Sequence, residues 1–117
     1  MLRPASEPIV NKILPALRAV VAQRLDTMGY SQTEIAELMD VTQPAVSQYL
    51  SRRRGASIDM IRRDSDLFDR ASEIAEALAR GDQATVAEAY SGFCHAVVEK
   101  DRFRQLVDDD ENLFVDF

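Results

Sequence analysis

Apolar residues along this chain recur at helical intervals, and no stretch alternates convincingly as a strand would. Ile9, Val10, Ile13, Leu14, Leu17, Val20, Val21, Leu25 and Met28 trace one helical face. Ser6-Glu7-Pro8 is a reasonable start for that helix, and Gly29 ends it as a C-terminal cap. Pro15 lies inside it and predicts a kink, or a short helix followed by a longer one. Ser31 opens the next helix, with Glu34 completing a capping box and Ile35, Ala36, Leu38 and Met39 facing inward. Asp40-Val41-Thr42 makes a turn. Thr42 then caps a third helix with Pro44 in its first turn and Val46, Tyr49 and Leu50 toward the core.

Arg52-Arg53-Arg54-Gly55 ends the third helix. A further helix is expected from near Ser57 to Gly81, with Ile58, Ile61, Leu67, Phe68, Ala71, Ile74, Ala75 and Leu78 on its apolar side. Asp64-Ser65-Asp66 is a possible break within it. The last helix is expected from about Asp82 to Lys100, with the stripe Val86, Ala89, Tyr90, Phe93, Val97 and Val98, and with Phe103, Leu106 and Val107 extending that face. The fold class that follows is all-α, with five or six helices.

This pattern divides the chain into a helix-turn-helix region over residues 1–56 with its motif at 31–52, a helical dimerisation region over 57–107, and an acidic and apolar tail over 108–117. The 117 residues are 46% hydrophobic and 29% charged, ordinary globular values that suit one small domain. No apolar run approaches the roughly 20 residues that span a bilayer, and the first residues do not read as a secretory leader. A cytoplasmic protein with no membrane partner is the expectation.

Charge changes the picture once it is divided. The net charge of −6 is unpromising for a ligand of phosphates. Residues 1–63, however, hold nine basic and six acidic residues, a balance of +3, whereas residues 64–117 hold five and fourteen, a balance of −9. The positive charge therefore gathers around the motif. Five arginines, Arg52, Arg53, Arg54, Arg62 and Arg63, fall within 12 positions beside it.

Two short helices joined by a tight turn cross steeply, and Ala36 supplies the small residue that this crossing needs. Ile35, Leu38, Val41, Val46 and Leu50 are expected to fill the shared core. Gln43, Ser47, Gln48 and Ser51 remain near one outward face of the third helix. Glutamine pairs with adenine through two hydrogen bonds and serine serves several base edges, so Gln43, Ser47 and Gln48 are the expected base contacts. Pro44 and Ala45 are candidates for packing on a thymine methyl. Gln32, Thr42, Ser51, Arg52, Arg53, Arg62 and Arg63 are the expected phosphate contacts, and Arg54 is the arginine that best suits a mere loop residue. The bland alternative for the arginines is a solvated charged end pairing with Asp59 and Asp64.

On Ser31-Gln32-Thr33-Glu34-Ile35-Ala36, Val41-Thr42-Gln43 and Val46-Ser47-Gln48-Tyr49-Leu50, the chain resembles helix-turn-helix regulators of the Cro and phage-repressor (XRE-like) type. The resemblance implies that Gln32 grips a phosphate and that Gln43, Ser47 and Gln48 read bases. The family's usual turn glycine is Asp40 here, which requires a left-handed aspartate or another geometry. Met1-Leu2-Arg3-Pro4, Ile13-Leu14-Pro15-Ala16-Leu17-Arg18 and residues 43–51 are similar to a group of small archaeal regulators with a helical C-terminal extension, often bearing a Cys-x-x-Cys pair. Cys94 matches the first of that pair, and Val97 stands where the second would be.

One motif covers about half a turn of DNA, so a homodimer on a two-fold axis is expected, with half-sites about 34 Å apart. Leu67, Phe68, Ile74, Leu78, Phe93 and Val97 are candidates for the interface; the alternative is that they cover the first helix within one protomer. A dimeric repressor on palindromic double-stranded DNA is the leading functional expectation. An antitoxin-like interaction module with autoregulatory DNA binding is the alternative. No catalytic residue, cofactor or metal site is expected: His95 is the only histidine, and its neighbour Cys94 points about 100° away on a helix, so the pair does not share a metal. The C-terminal helices carry no polar signature of an effector pocket.

Overall fold

The computed structural model describes residues 7–100; Ser6 and the extension through Phe103, Leu106, Val107 and the acidic and apolar tail lie outside the described residues, as do the side chains of Ile9 and Val10. Six helices follow in order: α1 (Glu7–Thr27), α2 (Gln32–Met39), α3 (Gln43–Ser51), α4 (Ala56–Arg63), α5 (Ser65–Arg80) and α6 (Gln83–Glu99). Among the described residues there is no strand, and no helix is long and apolar enough to cross a membrane. The all-α expectation holds.

α1 is the centre of the molecule and touches each of the other five helices. Its sequence suggests a single apolar stripe, but burial runs most of the way round. Ile13, Ala16, Leu17, Val20, Val21 and Leu25 are buried, and so are Ala19, Ala22 and Gln23. A helix buried on nearly every side is the mark of a central element. Alanines at 16, 19 and 22 leave room for neighbouring helices to approach.

Two expectations for α1 need correction. Pro15 neither ends nor divides the helix, which runs from Glu7 to Thr27 with the proline inside. The proline lacks the N–H that would bond four residues back, but the helix on either side of it is held by buried Ile13, Ala16 and Leu17. Met28, placed on the inward stripe, is instead 41% exposed, because it follows the end of the helix and turns with Gly29. Gly29 has φ 103° and its N–H returns to Asp26 O, so the chain reverses there as expected.

The break at Asp64 is real, and one residue makes it. Asp64 closes α4 by donating its N–H to Met60 O at 3.1 Å and opens α5 by accepting from Leu67 N at 3.1 Å. Its side chain is 5% exposed, a costly place for a carboxylate, and Lys100 Nζ lies 3.5 Å from Oδ2. α5 ends on left-handed Gly81, and Asp82 caps α6 through Thr85, as the sequence indicates.

One cluster of buried side chains takes in residues of all six helices. α5 and α6 make the most extensive pair and both also pack on α1. This overturns the expectation that Leu67, Ile74, Phe93 and Val97 are spare surface for a symmetric contact. All four are buried within the protomer, and Phe68 and Leu78 are half-buried against the same core. On α6, Tyr90 faces outward at 41% exposure rather than joining the stripe.

Candidate nucleic-acid interface

The candidate interface comprises α2, α3 and the two arginine segments that follow. Ser31 Oγ accepts from Glu34 N at 3.1 Å while Glu34 Oε1 accepts from Ser31 N at 2.8 Å, so the capping box fixes where α2 begins. That leaves Gln32 exposed in the first turn. α2 ends on Asp40, left-handed at φ 57° and ψ 49°, with its N–H returned to the last carbonyls of the helix. The left-handed aspartate is therefore how this turn does without glycine. Val41 N then bonds Ala36 O at 3.0 Å, drawing the chain across to α3.

Thr42 Oγ1 accepts from Ala45 N at 3.2 Å and starts α3, with Pro44 in the first turn where its missing N–H costs nothing. An accepting cap keeps its own hydroxyl proton free to donate to a phosphate. Ile35, Ala36 and Val46 are buried where the two helices cross. Leu38, Val41, Tyr49 and Leu50 are only half-buried around them, so the shared core is smaller than the sequence suggests.

With Val46 inward, α3 turns Gln43, Pro44, Ser47, Gln48 and Ser51 to solvent, while Ala45 is half-covered. Gln43 Nε2 donates to Gln32 Oε1 at 3.3 Å, so an expected base contact meets an expected phosphate contact at the adjoining starts of the two helices. Ser51 Oγ donates to Gln48 O at 2.9 Å, which occupies its proton within the helix and leaves its oxygen as an acceptor. The arginines divide. Arg52, Arg53, Arg54 and Arg63 are exposed, and Arg62 is exposed as a residue but donates through Nη2 to Gln23 Oε1. Neither Asp59 nor Asp64 forms the close ion pairs with them that the bland alternative requires; Asp64 instead holds Lys100.

Two features escape sequence reading. The first is the start of α4, which lies directly after the arginines. Gly55 at φ 139° provides no side-chain cap, so no side chain at that position bonds the amide groups that open the helix. The signal is faint: a glycine where Ser, Thr, Asn or Asp would be usual. The second is Gln23, which lies among the apolar positions of α1 and contacts the far end of α3.

Away from this face, Cys94 is half-buried, and the burial raises its thiol above the ordinary range, favouring an inert protonated group. His95 is exposed and leans toward Glu99 at 3.9 Å, four residues along the same helix. Among the described residues no three His, Cys, Asp or Glu side chains gather in a metal-binding group.

Two short helices packed together, a left-handed turn between them, an inward valine and an outward polar face define a helix-turn-helix unit. The comparison with protein families agrees: residues 21–73, from the middle of α1 into α5, match the sequence model described as helix-turn-helix. They form a helix-turn-helix domain of the Cro/C1, XRE-like type, the kind that DNA-binding regulators carry. No curated protein and no solved structure matches the chain.

Proposed function

We propose that the protein is a dimeric repressor that occupies a palindromic operator with α3 in the major groove. The observation that carries this reading is the outward face of α3. Gln43, Ser47 and Gln48 are exposed together there, over a buried Val46 that fixes the rotation of the helix. Gln43 and Gln48 offer paired donor and acceptor atoms to adenine, Ser47 serves adjacent edges, and Pro44 and the uncovered part of Ala45 pack on thymine methyl groups.

Gln32, Thr42, Ser51, Arg52, Arg53, Arg62 and Arg63 engage phosphates on either side, setting register without reading sequence. The uncapped amides at the start of α4 add neutral donors in the same stretch of chain. Dimerisation is assigned to the helices beyond residue 57 on symmetry grounds, since paired half-sites about 34 Å apart supply the specificity that one motif lacks. The interface draws on surfaces other than the four buried residues named above.

The test is fluorescence anisotropy with DNA from upstream of the protein's own gene, comparing wild type with Gln43→Ala/Gln48→Ala. Loss of two bidentate contacts weakens specific binding by roughly a hundredfold or more, at about 1–3 kcal/mol for each. Binding to unrelated DNA stays unchanged. Equal operator affinity in the double variant would move base recognition elsewhere.

A further inference from the structure

α3 ends without the left-handed cap that closes α2 and α5. α2 closes on Asp40 and α5 on Gly81, both left-handed, with the cap N–H returned to the last turn. Arg52, which follows α3, has φ −88° and ψ 86° and returns its N–H only to Gln48 O, at 3.1 Å. The last carbonyls of a helix need other partners when the chain leaves this way. Two carbonyls at this end are taken by a side chain from another helix. Gln23 Nε2 donates to Tyr49 O at 3.1 Å and to Arg52 O at 2.9 Å.

Gln23 is 4% exposed and sits among Ala19, Val20, Ala22 and Leu25. An amide in such a place is costly unless its hydrogen-bonding groups are met. Here they are: both donors go to α3 and its exit, and Oε1 accepts from Arg62 Nη2 of α4. The guanidinium has only donors, so it fixes which end of the amide faces α3. One buried side chain thus ties α1, the carboxyl end of α3 and α4 together.

We propose that Gln23 and Arg62 are a positioning pair for base recognition: the amide caps α3 from outside the helix, and Arg62 holds the amide in the orientation that lets it do so. The inference rests on the DNA-binding reading above and goes beyond it. Ser47 and Gln48 lie within one turn of Tyr49, and Arg52 and Arg53 leave from the capped end. Base reading depends on hydrogen bonds held within about 0.5 Å, whereas charge–phosphate attraction tolerates small shifts. Loosening the cap therefore lowers discrimination between sequences more than it lowers affinity for DNA at large.

The test uses the full chain with Gln23→Met, which keeps length and burial but makes no hydrogen bonds. Gln23→Glu keeps the acceptor for Arg62 but removes both donors, and Arg62→Lys keeps the charge but loses the planar guanidinium. Each is measured against a duplex that wild type enriches from a randomised pool and against an unrelated duplex of equal length. The rate of tryptic cleavage after Arg52–Arg54 in the folded protein is measured in parallel. The two Gln23 variants are expected to lose about tenfold in preference for the enriched duplex, in keeping with the loss of two hydrogen bonds. Affinity for the unrelated duplex stays within about twofold, and cleavage at 52–54 accelerates several-fold. Arg62→Lys, which keeps the charge for any phosphate contact, is expected to show the same loss of preference, whereas an arginine that met phosphate alone would weaken binding to both duplexes alike.

Unchanged preference in all three variants overturns the proposal, as does a Gln23→Glu variant that behaves as wild type. Should wild type enrich no duplex, the DNA reading fails by itself. The cleavage rate then decides the cap alone: acceleration upholds it and an unchanged rate rejects it.

Discussion

At the scale of single residues, Asp40 shows how a motif tolerates an unusual choice. Left-handed backbone costs most L-residues roughly 1–2 kcal/mol, and aspartate less because its short polar side chain bonds locally. Asp40→Val is therefore expected to lower stability by about 1–2 kcal/mol, while Asp40→Gly stays within about 0.5 kcal/mol of wild type because glycine adopts this conformation freely. Thermal unfolding followed by circular dichroism checks both, and a valine variant as stable as wild type would refute the strain argument. This turn is legible in the sequence because its constraints are local. Ser31 with Glu34 and Thr42 ahead of Pro44 announce caps within four residues of themselves. Gln23 is not legible: its partners lie 26, 29 and 39 positions away, and a polar residue in an apolar stretch reads as a solvated gap until the fold shows which carbonyls it meets.

At the scale of helices, the boundaries follow capping chemistry closely, and what the periodicity missed is what tertiary packing decides. Asp64 and Asp82 start helices and Gly81 ends one, as their residue types suggest. Pro15 suggests a break, yet α1 runs on through it, and Tyr90 fits a stripe by spacing yet is 41% exposed. Gly92 is a further case, a glycine inside α6 with no positive φ to justify it. A Cβ there would meet Arg70 Nη1 at 2.8 Å, the far end of a flexible side chain whose ion pair with Asp66 is partly exposed. Moving Arg70 aside sacrifices little. Gly92→Ala is accordingly expected to stabilise the protein by about 0.5–1 kcal/mol. A melting temperature at or below that of wild type would show that Arg70 is more firmly placed than its exposure suggests.

At the scale of the whole molecule, the separation of charge sets how affinity responds to salt. The −9 half contributes no attraction, so the electrostatic response belongs to the arginines beside the motif. If Arg52, Arg53, Arg62 and Arg63 each neutralise one phosphate, the logarithm of affinity falls against the logarithm of salt with a slope of roughly −3.6 per protomer, at −0.9 for each contact. Arg53→Ala is expected to reduce that slope by about one per protomer, equally on operator and unrelated DNA. A slope that does not change in the variant would place Arg53 off the phosphate backbone.

Asp64 belongs to two helices at once, and Lys100 fastens the end of a third to it. The segment proposed to touch DNA and the segment beyond it are consequently joined through a shared buried residue rather than by a free linker. A pair of such bodies would behave as a rigid caliper, with the distance between its two reading tips set at assembly and no elbow to absorb an error. One base pair added between half-sites displaces the second by about 3.4 Å and turns it by about 35°. The protein would then tolerate changes of letter in its operator far better than changes of length.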